Sequence, residues 1–501
     1  MRPRQQHNTL HSTVCAESNR RRFLAGAGTA LTVLLAGCTN NDGDTDSGTP
    51  TDDNGSDDDT EGDGDDDGTD GNGDDDIEAT PATLEQQVRV FLTLQANGSF
   101  EAAYERLADA AAEQLMIAGL EQGWRQVARG SGRFQSVLDT EFQTVESGVA
   151  TVRVETAHRL IKNRWRVSVT DAGILGFRIT SQEAYAWDPP AYADRSAFEE
   201  RTVTLDVTDS CDLGGTLSMP TGGGPVPGVV IVHGSGPVDR DRTLGPNRPY
   251  KELAWGLASR GVAVLRYDKR TAACDVSATA LGIDDTTTDD ALVALERLRA
   301  QERVANEQVF VVGHSLGGQL APRIAERDGR LAGAVMLAPA ARPFAEAYLD
   351  QYRVLLNQQD IGESERERLL AAARETAEQI RSLDIGENEV VEGVDGQPLS
   401  GRRFFRTLAE YDGPQTAATL DIPLFIAQGG RDYQVTVEDD LALWRESLSG
   451  IPRVRFEIYD ELNHLFQQND DPTTNAEQFD ASSVLDLRLV EDIVSFVADG
   501  V

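Results

Sequence analysis

Val309-Phe310-Val311-Val312-Gly313-His314-Ser315-Leu316-Gly317-Gly318 decides how this chain folds. Four apolar residues read as a strand, and residues 316–327 carry apolar side chains at helical spacing. Between them, G-x-S-x-G makes a sharp turn from strand into helix. The glycines let the two elements pack closer than a β-carbon would allow. A turn of this kind lifts the Ser315 hydroxyl clear of the strand's carboxyl end, where a substrate can reach it.

The alternation extends outward in both directions. Residues 202–207 and 215–219 read as a hairpin. Strands at 229–232 and 262–267 are followed by helices at 250–260 and 288–300, and another strand falls at 334–337. Short strands, apolar on both faces and separated by helices, predict a mostly parallel sheet with helices on both sides. The pattern stops near Ala340. Residues 342–381 read as long, charged helix and 384–403 as polar, so a helical cap of about 340–418 is expected as an insertion. The sheet resumes at 423–427 and 454–459, and an amphipathic helix closes the chain over 482–498. The catalytic domain so defined spans 199–501. Ahead of it, residues 81–190 predict a small α+β domain, with helices at 84–96, 100–112 and 115–127. Strands follow at 134–138, 148–156, 164–169 and 176–180. Its lone His158 reads as structural, and no chemistry is assigned to this domain.

A serine nucleophile needs a base to take its proton and an acid to orient that base. His464 follows the last strand and is the one histidine after Ser315. Asp432 follows the strand at 423–427, through Gly429 and Gly430. Asp460 and the adjacent Asp439 and Asp440 are fallbacks for the acid, the last two reading as a solvated helix face. An oxyanion needs two backbone donors. The Leu316 amide is one, and the Ser235 amide, in His233-Gly234-Ser235-Gly236-Pro237 after the strand at 229–232, is the other. His233 reads as a structural tie, and His314 as part of the elbow or pocket floor.

Five stretches carry a family resemblance: HGSGPVDRD (233–241), LRYDKR (265–270), GHSLGG (313–318), QGGRDYQV (428–435) and NHLF (463–466). Together they resemble α/β-hydrolase esterases near the dienelactone hydrolase and serine aminopeptidase-like groups, over 199–501. The domain at 81–190 is similar to an α+β module that precedes secreted members. The resemblance implies an α/β-hydrolase fold with a Ser315–Asp432–His464 triad. It also implies hydrolysis of small carboxylic esters, of short acyl chains, without a metal or cofactor. Dienelactone hydrolases use cysteine, so that substrate is not expected here. A peptidase, amidase or acyltransferase would use the same residues, and a non-catalytic surface-binding protein is the alternative of a different class. Asp239, Arg240, Asp241 and Arg242 are expected either at the pocket mouth or in an ion-paired loop.

Composition bears on where the protein works. Its 501 residues carry a formal net charge of -38, and only Lys162, Lys251 and Lys269 are lysines. Acidic residues stay in excess after Pro81. This resembles proteins of extreme halophiles, where screening by salt removes long-range self-repulsion. A nucleic-acid partner is excluded, because a polyanion would be repelled. Arg20-Arg21-Arg22-Phe23-Leu24 resembles a twin-arginine signal, and Leu35-Ala36-Gly37-Cys38 a lipobox. The expectation is a signal peptide over 1–37, lipid on Cys38 and export to the outer face of the cell membrane. An acidic, disordered linker over 38–80 would act as a tether. Cys211 and Cys274 are open between a disulfide and two buried thiols. The oligomeric state is left open.

Overall fold

The computed structural model describes residues 77 and 79–499, except 133, 209, 359–361, 395–397 and 469–481. The signal segment, Cys38 and almost all of the acidic tract lie outside the described residues.

The N-terminal module opens with a helix, Pro81–Ala96, whose first turn is capped by the Thr80 hydroxyl. Short helices Phe100–Tyr104 and Asp109–Ala112 and a longer one, Ile117–Ser131, follow. Four antiparallel strands then pair in chain order: β1 (Phe134–Glu146), β2 (Val149–His158), β3 (Ile161–Thr170) and β4 (Gly173–Ala184). Val152, Val154, Trp165 and Val167 point to one face and bury against Leu84, Val88, Phe91 and Trp124. The single helix expected over 100–112 breaks in two. The Ala108 amide donates to Ile174 and the Ile174 amide to Arg106, so pairing with β4 displaces helix continuation. The strands also run longer than their apolar cores suggested, because the solvent face of a sheet tolerates polar residues.

The catalytic domain is built on one eight-stranded sheet. Its strands are β5 (Phe198–Thr208), β6 (Cys211–Pro220), β7 (Val226–Val232), β8 (Ala263–Tyr267), β9 (Val304–His314), β10 (Gly333–Leu337), β13 (Leu424–Gly429) and β14 (Val454–Tyr459). Their order is β14-β13-β10-β9-β7-β8-β6-β5. Only the β5–β6 and β6–β8 pairs are antiparallel. Side chains alternate between two cores. Val230, Val232, Val309 and Val311 join Leu295, Leu298, Ile324 and Trp444 on one face. Val229, Ile231, Phe310 and Val312 join Leu253, Leu257, Val490 and Ile493 on the other. Both faces are therefore dry, which is why these strands read as unbroken apolar runs.

The cap holds helices Phe344–Gln358, Glu363–Ser382 and Arg402–Ala409 and a hairpin of β11 (Val390–Glu392) with β12 (Pro398–Gly401). The expected long helix over 342–381 is thus two helices. Leu316 and Leu320 pack against cap residues Tyr348, Phe404 and Phe405. Asp440 corrects the reading of a solvated face. It is fully buried and accepts from the Ala341 and Arg342 amides and the Arg342 guanidinium, fixing the start of the cap. Cys211 and Cys274 form a disulfide that ties β6 to the end of the helix Arg270–Ala273.

Candidate active site

In an open sheet the carboxyl edge is accessible where strand order reverses. Here β8 lies on one side of β7 and β9 on the other. The loop after β7 and the elbow after β9 therefore meet at one edge, and β13 and β14 deliver their loops to the same edge. The elbow requires glycine at two positions by contact. A β-carbon on Gly313 would fall 2.1 Å from the Gly317 oxygen, and one on Gly317 would fall 2.5 Å from the Val232 oxygen. Ser315 itself takes φ 56° and ψ -120°, a strained conformation for a residue with a β-carbon. The Ser315 amide is bound to the Leu337 oxygen.

Asp432 and His464 come together although 32 residues separate them: His464 Nδ1 donates to Asp432 Oδ2 at 2.7 Å. Their side chains are 0% and 4% exposed. The other carboxylate oxygen accepts from the Gln434 and Val435 amides, and Gln428 Nε2 donates to Oδ2 at 2.9 Å. These bonds fix the acid's orientation, and Asp432 in turn leaves Nε2 of His464 as the free acceptor. Asp439 and Asp460 are exposed, and neither contacts the imidazole among the described residues. No hydrogen bond joins Ser315 Oγ to His464 Nε2 among the described residues; such pairs often tighten only with substrate bound.

Leu316 is the first residue of the helix Leu316–Asp328, so its amide has no partner within the helix. Gly234, adjacent to Ser235, lies against Ser315, since a β-carbon there would fall 3.1 Å from Ser315 Cβ. Among the described residues, neither the Leu316 nor the Ser235 amide has an internal acceptor.

A chain of neutral hydrogen bonds, not foreseen from sequence, ties these loops together. His314 Nε2 donates to the His464 oxygen at 2.8 Å, so its Nδ1 accepts from the Tyr250 hydroxyl at 3.0 Å. That hydroxyl accepts from the Gly234 amide at 3.1 Å. Burial, and next the charge of His464, hold His314 well below the usual imidazole range. The chain thus runs from the loop after β7, through the elbow, to the backbone of His464. Lys269 Nζ donates to the Gly234 oxygen at 2.6 Å, and burial pushes this lysine down to about 7. His233 is buried and bonded to the Tyr267 oxygen, as a structural tie. Tyr250 gave no sequence signal, because its partners are distant in the chain. Among the described residues, no cluster of side chains offers a metal site.

Residues 229–477 match the model of the alpha/beta hydrolase family. The chain belongs to the α/β-hydrolase family. Esterase EstD of Thermotoga maritima is 32% identical over 419 residues, covering 82% of this chain and 95% of that protein. Among solved structures, Est1E from Butyrivibrio proteoclasticus is 16% identical, covering 60% of this chain and 98% of its own, with a TM-score of 0.40. A Pyrococcus furiosus esterase is 15% identical, covering 63% and 97%, with a TM-score of 0.39.

Proposed function

We propose that this protein is a serine esterase that cleaves small carboxylic esters of short acyl chains through an acyl-enzyme. The observation that carries this reading is the 2.7 Å bond between His464 and a doubly anchored Asp432, on loops delivered to the same sheet edge as a serine held on a strained elbow. The likeness to an esterase over most of both chains supports the substrate class.

His464 takes the Ser315 proton as the hydroxyl attacks the ester carbonyl. Asp432 holds the imidazole's tautomer and stabilises the imidazolium without taking a proton itself. The Leu316 and Ser235 amides receive the oxyanion. The alcohol leaves with the proton from His464. Water, deprotonated by the same histidine, then releases the acid and restores Ser315.

Ser315→Ala is expected to lower 4-nitrophenyl ester turnover more than about a thousandfold. It should also abolish labelling by a fluorophosphonate probe, with circular dichroism unchanged. Turnover at the wild-type level would remove Ser315 from the mechanism. Measurement with 4-nitrophenyl esters of two to twelve carbons tests the chain-length assignment.

The protein is further proposed to be exported and held at the outer face of the membrane by lipid on Cys38. The Cys211–Cys274 disulfide supports this, because such bonds persist in oxidising compartments.

A further inference from the structure

The loop after β7 carries four consecutive charges, and three are accounted for. Arg240 is paired with Asp268, its Nε donating at 3.0 Å. Asp241 is paired with Arg266 and lies 3.8 Å from Lys251. Asp239 accepts from the Thr243 amide at 2.7 Å. Arg242 is left over. It sits in the left-handed region, at φ 56°, with its amide bonded to the Asp239 oxygen. Its Nε is buried without a hydrogen-bond partner, and among the described residues it makes no ion pair.

A second unpaired cation reaches the same loop from the other domain. Arg159 stands at the turn between β2 and β3 of the N-terminal module. Its guanidinium donates to the Pro237 oxygen at 2.7 Å, and its own carbonyl accepts from the Gly245 amide at 2.7 Å. Its Nε is likewise buried and unpartnered. Among the described residues the Arg248 guanidinium bonds only backbone oxygens, those of Gly245 and Asn247, each at 2.7 Å. Of the nearby carboxylates, Asp239 offsets part of the charge on Arg159 and Arg248 but forms an ion pair with neither among the described residues. Glu252 accepts from Trp187, Arg248 and Leu485, and Asp239 from Thr243. Repulsion still outweighs that attraction at Arg159: burial, then Arg242, lower it to about 10 against the pull of Asp239, and Arg242 also opposes the charge on Lys269.

Unpaired positive charge concentrated at one loop is anomalous in a chain with net charge -38. Holding like charges together and partly desolvated costs free energy unless an anion joins them. The loop is the one that supplies the Ser235 amide, and Gly234 within it touches Ser315. A planar guanidinium fork matches a carboxylate.

We propose that Arg242 and Arg159 form an anion subsite across the junction of the two domains, and that the preferred substrates are esters bearing a free carboxylate, such as hemiesters of dicarboxylic acids. The N-terminal module then supplies one wall of the substrate site. This rests on the esterase reading above.

The test compares 4-nitrophenyl hydrogen adipate with 4-nitrophenyl adipamate, in which a neutral amide replaces the carboxylate, at fixed ionic strength. The wild-type ratio of kcat/KM, acid over amide, is expected to exceed one. It should fall on the order of tenfold in Arg242→Gln and in Arg159→Gln, mainly through KM, as loss of a charge-assisted bond predicts. Arg242→Lys should retain part of the preference, and the exposed control Arg297→Gln all of it. Calorimetry with adipate reads the subsite without turnover, and its binding should weaken in Arg242→Gln. A wild-type ratio at or below one overturns the subsite, as does an unchanged ratio in both glutamine variants. Those results would leave the esterase standing, whereas wild type inert toward both esters while binding adipate would sink the esterase reading instead.

Discussion

One residue type takes three roles here, set by what surrounds each copy. His464 faces Asp432 and is the proposed base; His314 relays a hydrogen bond between loops; His158 is a structural pin in the N-terminal module. His158 donates through Nδ1 to the Gly132 oxygen and accepts from the Thr156 hydroxyl, and burial pushes it down to about 4. Unfolded, it titrates near 6.5. Between those values the unfolded chain binds more protons, so stability falls as pH drops through that window. At pH 4.5 this single histidine is expected to cost about 2 kcal/mol relative to pH 7. Chemical denaturation of wild type and His158→Gln at both pH values measures it; equal pH losses in the two proteins would refute the assignment. The candidate triad was legible in the sequence, because a nucleophile, a base and an acid must be particular residue types after particular strands. Tyr250, Lys269 and Arg159 were not, since their significance lies in partners tens of residues away.

At the level of elements, periodicity decided well where both sheet faces are buried and poorly where pairing competes with helix. Residues 100–112 had helical spacing throughout, yet the backbone at Arg106 and Ala108 bonds to Ile174 instead. Asp440 looked like surface because it neighbours Glu438 and Asp439, but the cap's first residues turn back onto it. The disulfide joins cysteines 63 positions apart, from β6 to the helix Arg270–Ala273, across the β7 and β8 segments. Closing a loop of that length restricts the unfolded chain by about 4 kcal/mol in the entropic account. The double variant Cys211→Ser/Cys274→Ser is therefore expected to unfold at lower denaturant, with a stability loss of roughly 3–4 kcal/mol. A midpoint unchanged from wild type would show that the bond contributes nothing.

Across the whole molecule, charge and architecture divide the labour. The acidic excess of the chain sets off the arginines without ion pairs at the domain junction. The N-terminal module grips the loop after β7 through Arg159 and the cap through Arg125, which lies 3.3 Å from Glu392. The proposed lipid anchor belongs to this scale too. Cys38→Ser is expected to shift the protein from the membrane fraction to the medium or the soluble fraction, measured by fractionation and by the mass of the mature N-terminus. A variant that stays membrane-bound with unchanged mass would count against lipidation.

The sequence alone determined the fold class, the order of the sheet strands in the chain and a short list of side chains able to carry acyl transfer: Ser315, His464 and a carboxylate among Asp432, Asp439, Asp440 and Asp460. Those follow from local rules: side-chain periodicity, glycine at a tight turn and the narrow choice of groups able to move a proton. Tertiary structure alone decided which carboxylate meets His464, that Cys211 meets Cys274, and that Arg159 reaches the loop that carries Arg242, with no ion pair to either arginine among the described residues. Such pairings depend on where distant strands end in space, and no local pattern encodes that distance.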